Sequence, residues 1–214
     1  MGKKADEIDF PKDSSEKERS DRLKKQIEFI VEVDKLKHIM RQTYLANGTR
    51  KENDAEHSWH LALMVFLLAE HTLEPKIDLL RTMKMVLIHD IVEIDAGDTY
   101  CYDEIAALDK AERERKAAER IFNLLPSDQA EEMWELWEEF EEVRTPEARF
   151  AAALDRLQPL LLNYASQGLS WHEHEVQRSQ CLNRNNHIEN SSKVLWDYAL
   201  QILDEAVKKG YLED

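Results

Sequence analysis

The chain has 214 residues with five glycines and five prolines, and 43% of its residues are hydrophobic, which is typical of one helix-rich domain with an ordinary core. Its 44 acidic residues against 29 basic ones give a formal charge of −15, so neither nucleic acid nor an anionic membrane is an expected partner. Two cysteines without CxxC spacing, and no stretch near the roughly 20 apolar residues that cross a bilayer, predict a cytoplasmic protein.

The first part of the chain divides into a charged segment and a helix. Residues 1–20 lack apolar periodicity and are expected to form a mobile tail, which leaves a single domain over residues 21–214. From Leu23 onward, apolar residues recur at helical spacing and predict a helix that ends near Asn47. Residues 46–53 are then expected to form a polar loop.

A second and a third helix follow. Asn53 with Glu56 three residues later resembles a capping box, which predicts a helix that starts there and continues to about His71. Residues 77–96 are apolar on most sides and predict a central helix. Further helices are expected to begin near Glu104, Ser127, Thr145 and Ser191, with an irregular segment over 167–186. These elements predict an all-α fold, a single globular helical bundle.

The third helix carries an ionisable pair, His89-Asp90, in the otherwise apolar run MVLIHDIVEI. Burying an unpaired carboxylate is very costly, so the pair needs hydrogen bonds, an ion partner or a metal. In isolation such a dipeptide is more often an aspartate that orients its neighbouring histidine. His57, one helix earlier, has apolar residues at the following turns of its helix, so it also points toward the core.

A fourth ionisable residue, Asp155, lies in the apolar run FAAALDRLQPLLL, where alanines one turn back leave room around it. A salt bridge with Arg156 is the alternative role for this aspartate. Two imidazoles and two carboxylates from three helices form a mixed shell for one divalent metal ion, compatible with Mn, Co, Fe, Ni, Zn or Mg. The predicted ligands are His57, His89, Asp90 and Asp155. A buried polar network without metal is the alternative.

Three segments together resemble a known superfamily. They are TRKENDAEHS before the first histidine, HDIVEIDAGD around the His-Asp pair and ALDRL near the last aspartate. The pattern resembles the HD-domain metal-dependent phosphohydrolases, and more closely their 5'-deoxynucleotidase branch, over residues 25–165. The resemblance implies an HD-type helical bundle, a homodimer, metal ligation by the same four residues, and hydrolysis of nucleoside or deoxynucleoside 5'-monophosphates or other phosphomonoesters by a metal-activated water.

The resemblance also implies roles for residues around the metal. Glu93 and Asp98 are implied to line the site as catalytic residues, although a surface partner and a turn residue are their alternative roles. Arg41 matches a family arginine that approaches the substrate phosphate, and Arg50 is expected to assist; both are otherwise surface cations. Gln42 stands where the bacterial deoxynucleotidase pattern has tryptophan, and a glutamine accepts a ribose 2'-hydroxyl more readily than a tryptophan wall.

A different class of function is consistent with the same residues. The chain is alternatively a non-catalytic sensor or interaction protein that binds metal and nucleotide without turnover. The acidic Glu93 and Asp98 favour hydrolysis over this alternative, because binding alone does not need them.

Overall fold

A computed structural model describes residues 15–102, 105 and 108–214 of the chain, so most of the predicted tail, residues 1–14, lies outside the described residues. The first helix, α1 (Glu16–Val33), begins earlier than expected from the sequence. A capping box starts it: Glu18 N donates to Ser15 Oγ at 3.3 Å, and Ser15 N donates to Glu18 Oε2 at 2.7 Å.

The region expected to complete the first helix forms a hairpin instead. After α1 comes a 3₁₀ turn (Asp34–His38), and then β1 (Met40–Tyr44) pairs antiparallel with β2 (Lys51–Asn53). The prediction of a helix to Asn47 was therefore wrong, as was the loop over 46–53. Periodicity could not reveal the hairpin, because the hydrogen bonds that hold β1 extended come from β2, further along the chain.

The second helix agrees with its prediction. It is α2 (Asp54–Leu68), extended by a 3₁₀ turn to His71, and Asn53 caps it as expected. Glu56 N donates to Asn53 Oδ1 at 3.0 Å, and Asn53 N donates to Glu56 Oε2 at 3.2 Å. β2 leads directly into this cap, so the hairpin and the start of α2 are held together.

The third predicted helix is interrupted at the ionisable pair. The structure has α3 (Leu79–Ile88) and a short α4 (Glu93–Ala96), joined by a tight turn. Within the turn Ile91 N donates to Ile88 O at 3.0 Å and Glu93 N donates to Asp90 O at 2.9 Å. These bonds reach the carbonyl three residues earlier, in place of the carbonyl four residues earlier that an α-helix uses. Side chains three residues apart then eclipse each other, which places Glu93 beside Asp90.

The second half of the chain is helical and includes a region expected to be irregular. The residues that follow Gly97 form α5 (Lys110–Phe122), α6 (Ser127–Glu142), α7 (Pro146–Ala165), α8 (Leu169–Glu173), α9 (Arg178–Asn185), α10 (Ile188–Ser191) and α11 (Lys193–Lys209). The prediction for residues 167–186 was wrong because α8 and α9 are too short to show helical periodicity in the sequence. The expected start at Glu104 lies outside the described residues, and α5 begins at Lys110.

The long helix α7 is at the centre of the bundle. It packs against α2, α3, α6, α10 and α11, and its Phe150, Leu154 and Leu157 are almost completely buried. The all-α prediction is confirmed, with the β1–β2 hairpin as the one sheet among the described residues. No helix in the described part of the chain is both long and apolar enough to cross a membrane.

A partly buried acceptor on α6 connects three helices. Glu139 accepts a hydrogen bond from Arg81 Nε on α3 at 2.9 Å and another from Thr145 Oγ1, the cap of α7, at 2.5 Å. Burial raises the pKa of Glu139, but these two donors outweigh it and hold the pKa below the ordinary glutamate value. A depressed carboxyl pKa stabilises the fold above the unfolded-state pKa and loses that effect as pH falls.

We expect Glu139→Gln to lower the free energy of unfolding by about 1 kcal/mol at neutral pH. The difference from wild type should shrink as the pH falls below the ordinary glutamate pKa, because the carboxyl of Glu139 becomes protonated there. Urea unfolding at several pH values measures it. Glu132→Gln on the same helix is the matched control, because its partner Lys84 and Glu132 itself are both about half exposed. An equal effect of both variants, or a difference independent of pH, contradicts the prediction.

Candidate active site

The four predicted metal ligands meet between three elements. His57 comes from α2, His89 and Asp90 from the turn after α3, and Asp155 from α7. His57 Nε2 lies 2.9 Å from Asp155 Oδ1, and His89 Nε2 lies 3.1 Å from Asp90 Oδ1 and 3.6 Å from Asp155 Oδ1. Ligand atoms of His57, His89 and Asp90 all lie within 4.8 Å of one another.

The chemistry of this cluster suits a bound cation. His89 Nδ1 lies 2.9 Å from the carbonyl oxygen of Val86, which can only accept, so Nδ1 carries the proton. His89 Nε2 is buried, has no hydrogen-bond partner and is directed at the carboxylates. Burial raises the pKa of both aspartates, but neighbouring groups outweigh it. His89 and Arg41 lower the pKa of Asp90 below its ordinary value, and His57 and His89 do the same for Asp155. Ionised carboxylates beside an unpartnered imidazole nitrogen fit a divalent metal.

Side chains behind His57 set its orientation. His57 Nδ1 lies 3.1 Å from Gln158 Oε1, and Gln158 Nε2 donates to Glu52 Oε1 at 2.8 Å. All three residues are almost fully buried. An amide oxygen only accepts, so it retains the proton on Nδ1 and leaves Nε2 free to bind a cation on the other side of the ring.

A second group of carboxylates adjoins the ligands. Carboxylate oxygens of Asp54, Asp90 and Glu93 lie within 4.8 Å of one another, and all three residues are buried. Arg41 Nη1 donates to Asp90 Oδ2 at 2.7 Å and to Asp54 Oδ1 at 3.2 Å. Burial and the charge of Asp90 raise the pKa of Asp54 to about 7, and burial with the neighbouring carboxylates raises that of Glu93 well above its ordinary value. The site therefore contains acids able to hold a proton near neutral pH.

The ligand cluster opens into a cavity of about 290 Å³. Arg41, Gln42, Glu93 and Asp98 all line it. Burial raises the pKa of Asp98. Gln42 accepts a hydrogen bond from Lys51 Nζ at 2.6 Å, which leaves its amide group as a donor toward the cavity.

Arg50 does not reach the cavity. Its guanidinium is half exposed and donates to Glu56 Oε2 at 2.8 Å, where Glu56 is the acid of the α2 capping box. Arg50 precedes β2 and is held by Glu56, so the structure does not bring it to the cavity where it was predicted to assist substrate binding. Its contact stabilises the start of α2.

Known proteins share the fold that builds this site. The family model described as an HD domain matches residues 33–196, a span that includes all four ligands and the cavity. The chain belongs to the HD-domain family. A predicted metal-dependent phosphohydrolase from Magnetospirillum magnetotacticum MS-1, known from a crystal structure, is 54% identical, with 92% of this chain and 98% of that one covered and a TM-score of 0.88.

More distant relatives of this HD domain agree with the assignment. Human 5'-deoxynucleotidase HDDC2 is 32% identical over 136 residues, which is 63% of this chain and 65% of the human protein. The matched region thus spans slightly less than two thirds of that relative. A conserved hypothetical protein from Pyrococcus furiosus is 27% identical, covers 85% of this chain and 99% of its own length, and has a TM-score of 0.62.

Sequence reasoning missed three buried polar residues of the HD domain. Gln158 is a polar residue in the apolar stripe of α7, one turn after Asp155, and that placement was a readable signal. Asp54, at the first position of α2, reads as an ordinary helix-start acid. Glu52 lies in what looked like a loop. Only the packing of α7 on α2 and the hairpin identifies the last two as parts of the site.

We expect Gln158→Met to weaken metal binding by about 10- to 100-fold, because His57 loses the acceptor that sets its ring orientation. Methionine keeps the volume, so the fold should persist. Titration of the metal-free protein with Mn²⁺ or Zn²⁺ against a competing chelator measures the affinity. Gln201→Met is the control, since Gln201 contacts only Glu205 on the exposed side of α11. Unchanged affinity in Gln158→Met would remove Gln158 from the site.

Proposed function

We propose that this HD-domain protein is a metal-dependent hydrolase of phosphomonoesters, with nucleoside or deoxynucleoside 5'-monophosphates as its substrates. The convergence of His57, His89, Asp90 and Asp155 carries the proposal, because the last three line the cavity and the buried His89 Nε2, which makes no hydrogen bond, is left for a cation. Membership of the HD-domain family supports it. The names of the human and Magnetospirillum relatives point to the same chemistry.

The residues present fit a divalent metal ion, and the four ligands would hold it. Such an ion would polarise a water molecule and neutralise charge on the phosphate. The donor set accepts Mn, Co, Fe, Ni, Zn or Mg, since carboxylate oxygen and imidazole nitrogen suit each of them. One ion is proposed, because the neighbouring Asp54 and Asp90 already share the guanidinium of Arg41.

Glu93 and Asp98 are the proposed proton carriers. In its ionised form, Glu93 takes a proton from the water that attacks phosphorus, and the raised pKa that comes from burial among carboxylates makes that carboxylate a stronger base. As the new phosphorus–oxygen bond forms, the bond to the nucleoside oxygen breaks. Asp98, whose pKa burial also raises, donates a proton to that leaving oxygen. The products are the nucleoside and inorganic phosphate.

Arg41 is proposed to bind the phosphate group. Its Nη1 is engaged by Asp54 and Asp90, and these two contacts orient the guanidinium at the cavity wall. A planar guanidinium offers five donors, so others stay available for phosphate oxygens. Gln42, with its amide group free to donate, is proposed to tolerate a ribose 2'-hydroxyl, so that ribo- and deoxyribonucleotides are both hydrolysed.

The test is a phosphate-release assay. A panel of ribo- and deoxyribonucleoside 5'-monophosphates is incubated with the protein and with Mn²⁺, Co²⁺ or Mg²⁺ in turn. Release from some monophosphates, with deoxy and ribo forms within about tenfold of each other, is expected. No release from any member of the panel contradicts the enzyme proposal, and nucleotide binding without release would favour a sensor.

A homodimer is also proposed. Leu23, Ile27 and Ile30 lie on one face of α1, and 58%, 49% and 59% of their respective surfaces are exposed. An apolar stripe of this kind is typical of a protein–protein contact. Light scattering should give a mass near twice 25.2 kDa, and Ile27→Glu should halve it. A monomeric wild-type protein contradicts this proposal.

The cellular setting is proposed from charge and cysteines. Cys101 and Cys181 are both free thiols, which is consistent with the reducing cytoplasm. The formal charge of −15 supports a small-molecule substrate and no nucleic-acid partner. Filter binding to duplex DNA at low salt should show no complex. A stable complex would contradict the proposal that the protein has no nucleic-acid partner.

A further inference from the structure

Arg184 is a cation without a counter-ion at the wall of the cavity. It lies on α9, is partly buried and lines the cavity. Among the described residues no carboxylate oxygen lies within 4 Å of its guanidinium, and no hydrogen bond holds it, although the chain carries 44 acidic residues. By contrast Arg178, on the same helix, pairs with Asp204 at 2.7 Å. A partly buried guanidinium without an anion is unfavourable unless a ligand supplies one.

Arg156 approaches the same place from α7. It lines the cavity together with Pro159 and Asn163, which follow it on one face of the helix. Arg156 and Arg184 both line this cavity. Burial lowers the pKa of Arg184, and the positive charge of Arg156 lowers it further. An anion bound between the two guanidinium groups would relieve the repulsion between these like charges.

The single carboxylate near Arg156 does not satisfy it. Arg156 Nη1 lies 3.5 Å from Asp155 Oδ2, longer than a charge-assisted hydrogen bond. The other oxygen of that carboxylate, Oδ1, faces His57 and His89. Arg156 is thus on the side of Asp155 that is turned away from the imidazoles, outside the metal cluster.

The other two cations of the cavity wall are already engaged. Arg41 donates to Asp54 and Asp90, next to the metal ligands. Lys110 lies 3.2 Å from Glu114 Oε1. Arg156 and Arg184 therefore differ from them, because their donors are available to a ligand.

We propose that Arg156 and Arg184 form a second anion-binding subsite, which holds a phosphate group of the substrate other than the one that is hydrolysed. The substrate class is then a nucleotide with phosphates at two positions, such as a nucleoside 3',5'-bisphosphate. This inference rests on the proposed function, since it takes the metal cluster and Arg41 as the position of the reacting 5'-phosphate. Two guanidinium forks on one phosphate supply charge-assisted, bidentate hydrogen bonds.

The test compares two ligands that the protein cannot hydrolyse. They are the 5'-methylenephosphonate analogue of deoxyadenosine and the same compound with a 3'-phosphate, and calorimetry gives the affinity of each for the protein with its metal. The 3'-phosphate should strengthen binding to wild type by about tenfold or more. Arg184→Gln and Arg156→Gln should each remove most of that gain, and Arg178→Gln, the control on α9, should leave it intact.

The outcomes separate this subsite from the hydrolytic function. Binding needs no turnover, so the comparison is valid even if no monophosphate is ever hydrolysed. An equal affinity of wild type for the two analogues overturns the subsite, and so does a gain that survives both substitutions. If both variants weaken the two analogues by the same factor, the arginines hold the 5'-phosphate and the second subsite is wrong.

Discussion

Replacing Asp155 with asparagine is expected to abolish stoichiometric metal binding and to lower phosphate release by at least about a hundredfold. The amide keeps the volume of the carboxylate and can still contact His57 Nε2, which lies 2.9 Å from Asp155 Oδ1. What it removes is the negative charge between two imidazoles. Elemental analysis of protein purified without chelator, together with the phosphate-release assay, measures both effects.

A matched control distinguishes loss of the ligand from loss of any acid. Asp95→Asn changes an aspartate of α4 that pairs with Arg120 at 2.8 Å on the outer surface. It should retain metal and activity. If Asp155→Asn keeps its full metal content, Asp155 is not a ligand. If the wild-type protein holds no metal in any preparation, the four residues form the buried polar network that the sequence left as an alternative.

The second large effect is expected for Glu93→Gln, which should retain metal and lose phosphate-release activity by about a hundredfold or more. The neutral amide cannot take a proton from the attacking water. The same change should raise the melting temperature by about 2–4 °C, because a buried carboxyl whose pKa is raised by burial and by Asp90 and Asp54 costs the folded state free energy at neutral pH, and a neutral amide does not. Glu93 Oε2 is buried without a hydrogen-bond partner, so little native bonding is lost.

The opposite signs of these effects make the prediction specific. A structural carboxylate would lose stability on neutralisation, whereas a catalytic one held among like charges gains it. Calorimetric melting and initial rates at saturating metal give the two values. Glu112→Gln, an exposed residue of α5 paired with Lys116, should change neither. Full activity in Glu93→Gln, or a fall in both metal content and melting temperature, contradicts the proposed role.

The chain just before Glu93 is where the structure departs from the predicted central helix. Its apolar character from residue 77 to 96 predicts one continuous helix, but the structure breaks it at His89–Val92. The break converts a helix into a tight turn in which Asp90 and Glu93 lie on one side. Helical spacing already placed the two residues close together. Their close packing with Asp54 depends on how the turn docks on α2.

The β1–β2 hairpin, which carries Arg41, is a second element that local sequence patterns did not predict. The apolar periodicity of α1 continues as far as Met40, yet Met40–Tyr44 becomes a strand because β2 supplies its hydrogen bonds. That strand points Arg41 at Asp54 and Asp90 and leaves Arg50 outside with Glu56. The two arginines, both predicted to contact the substrate, therefore have different positions. Their positions differ because β1 pairs with β2, and the local sequence pattern does not indicate that pairing.

The sequence by itself determined the helical class of the fold and predicted which four ionisable residues would meet in its core. Ionisable side chains in apolar runs cannot be buried alone, so the core that buries His57, His89, Asp90 and Asp155 must also bring them together. The tertiary structure alone decided what surrounds them: Gln158 and Glu52 behind His57, Asp54 beside Glu93, and the unpaired Arg184 opposite Arg156. Polar residues of this kind are satisfied equally well by water or by a neighbour, and only long-range packing chooses between the two.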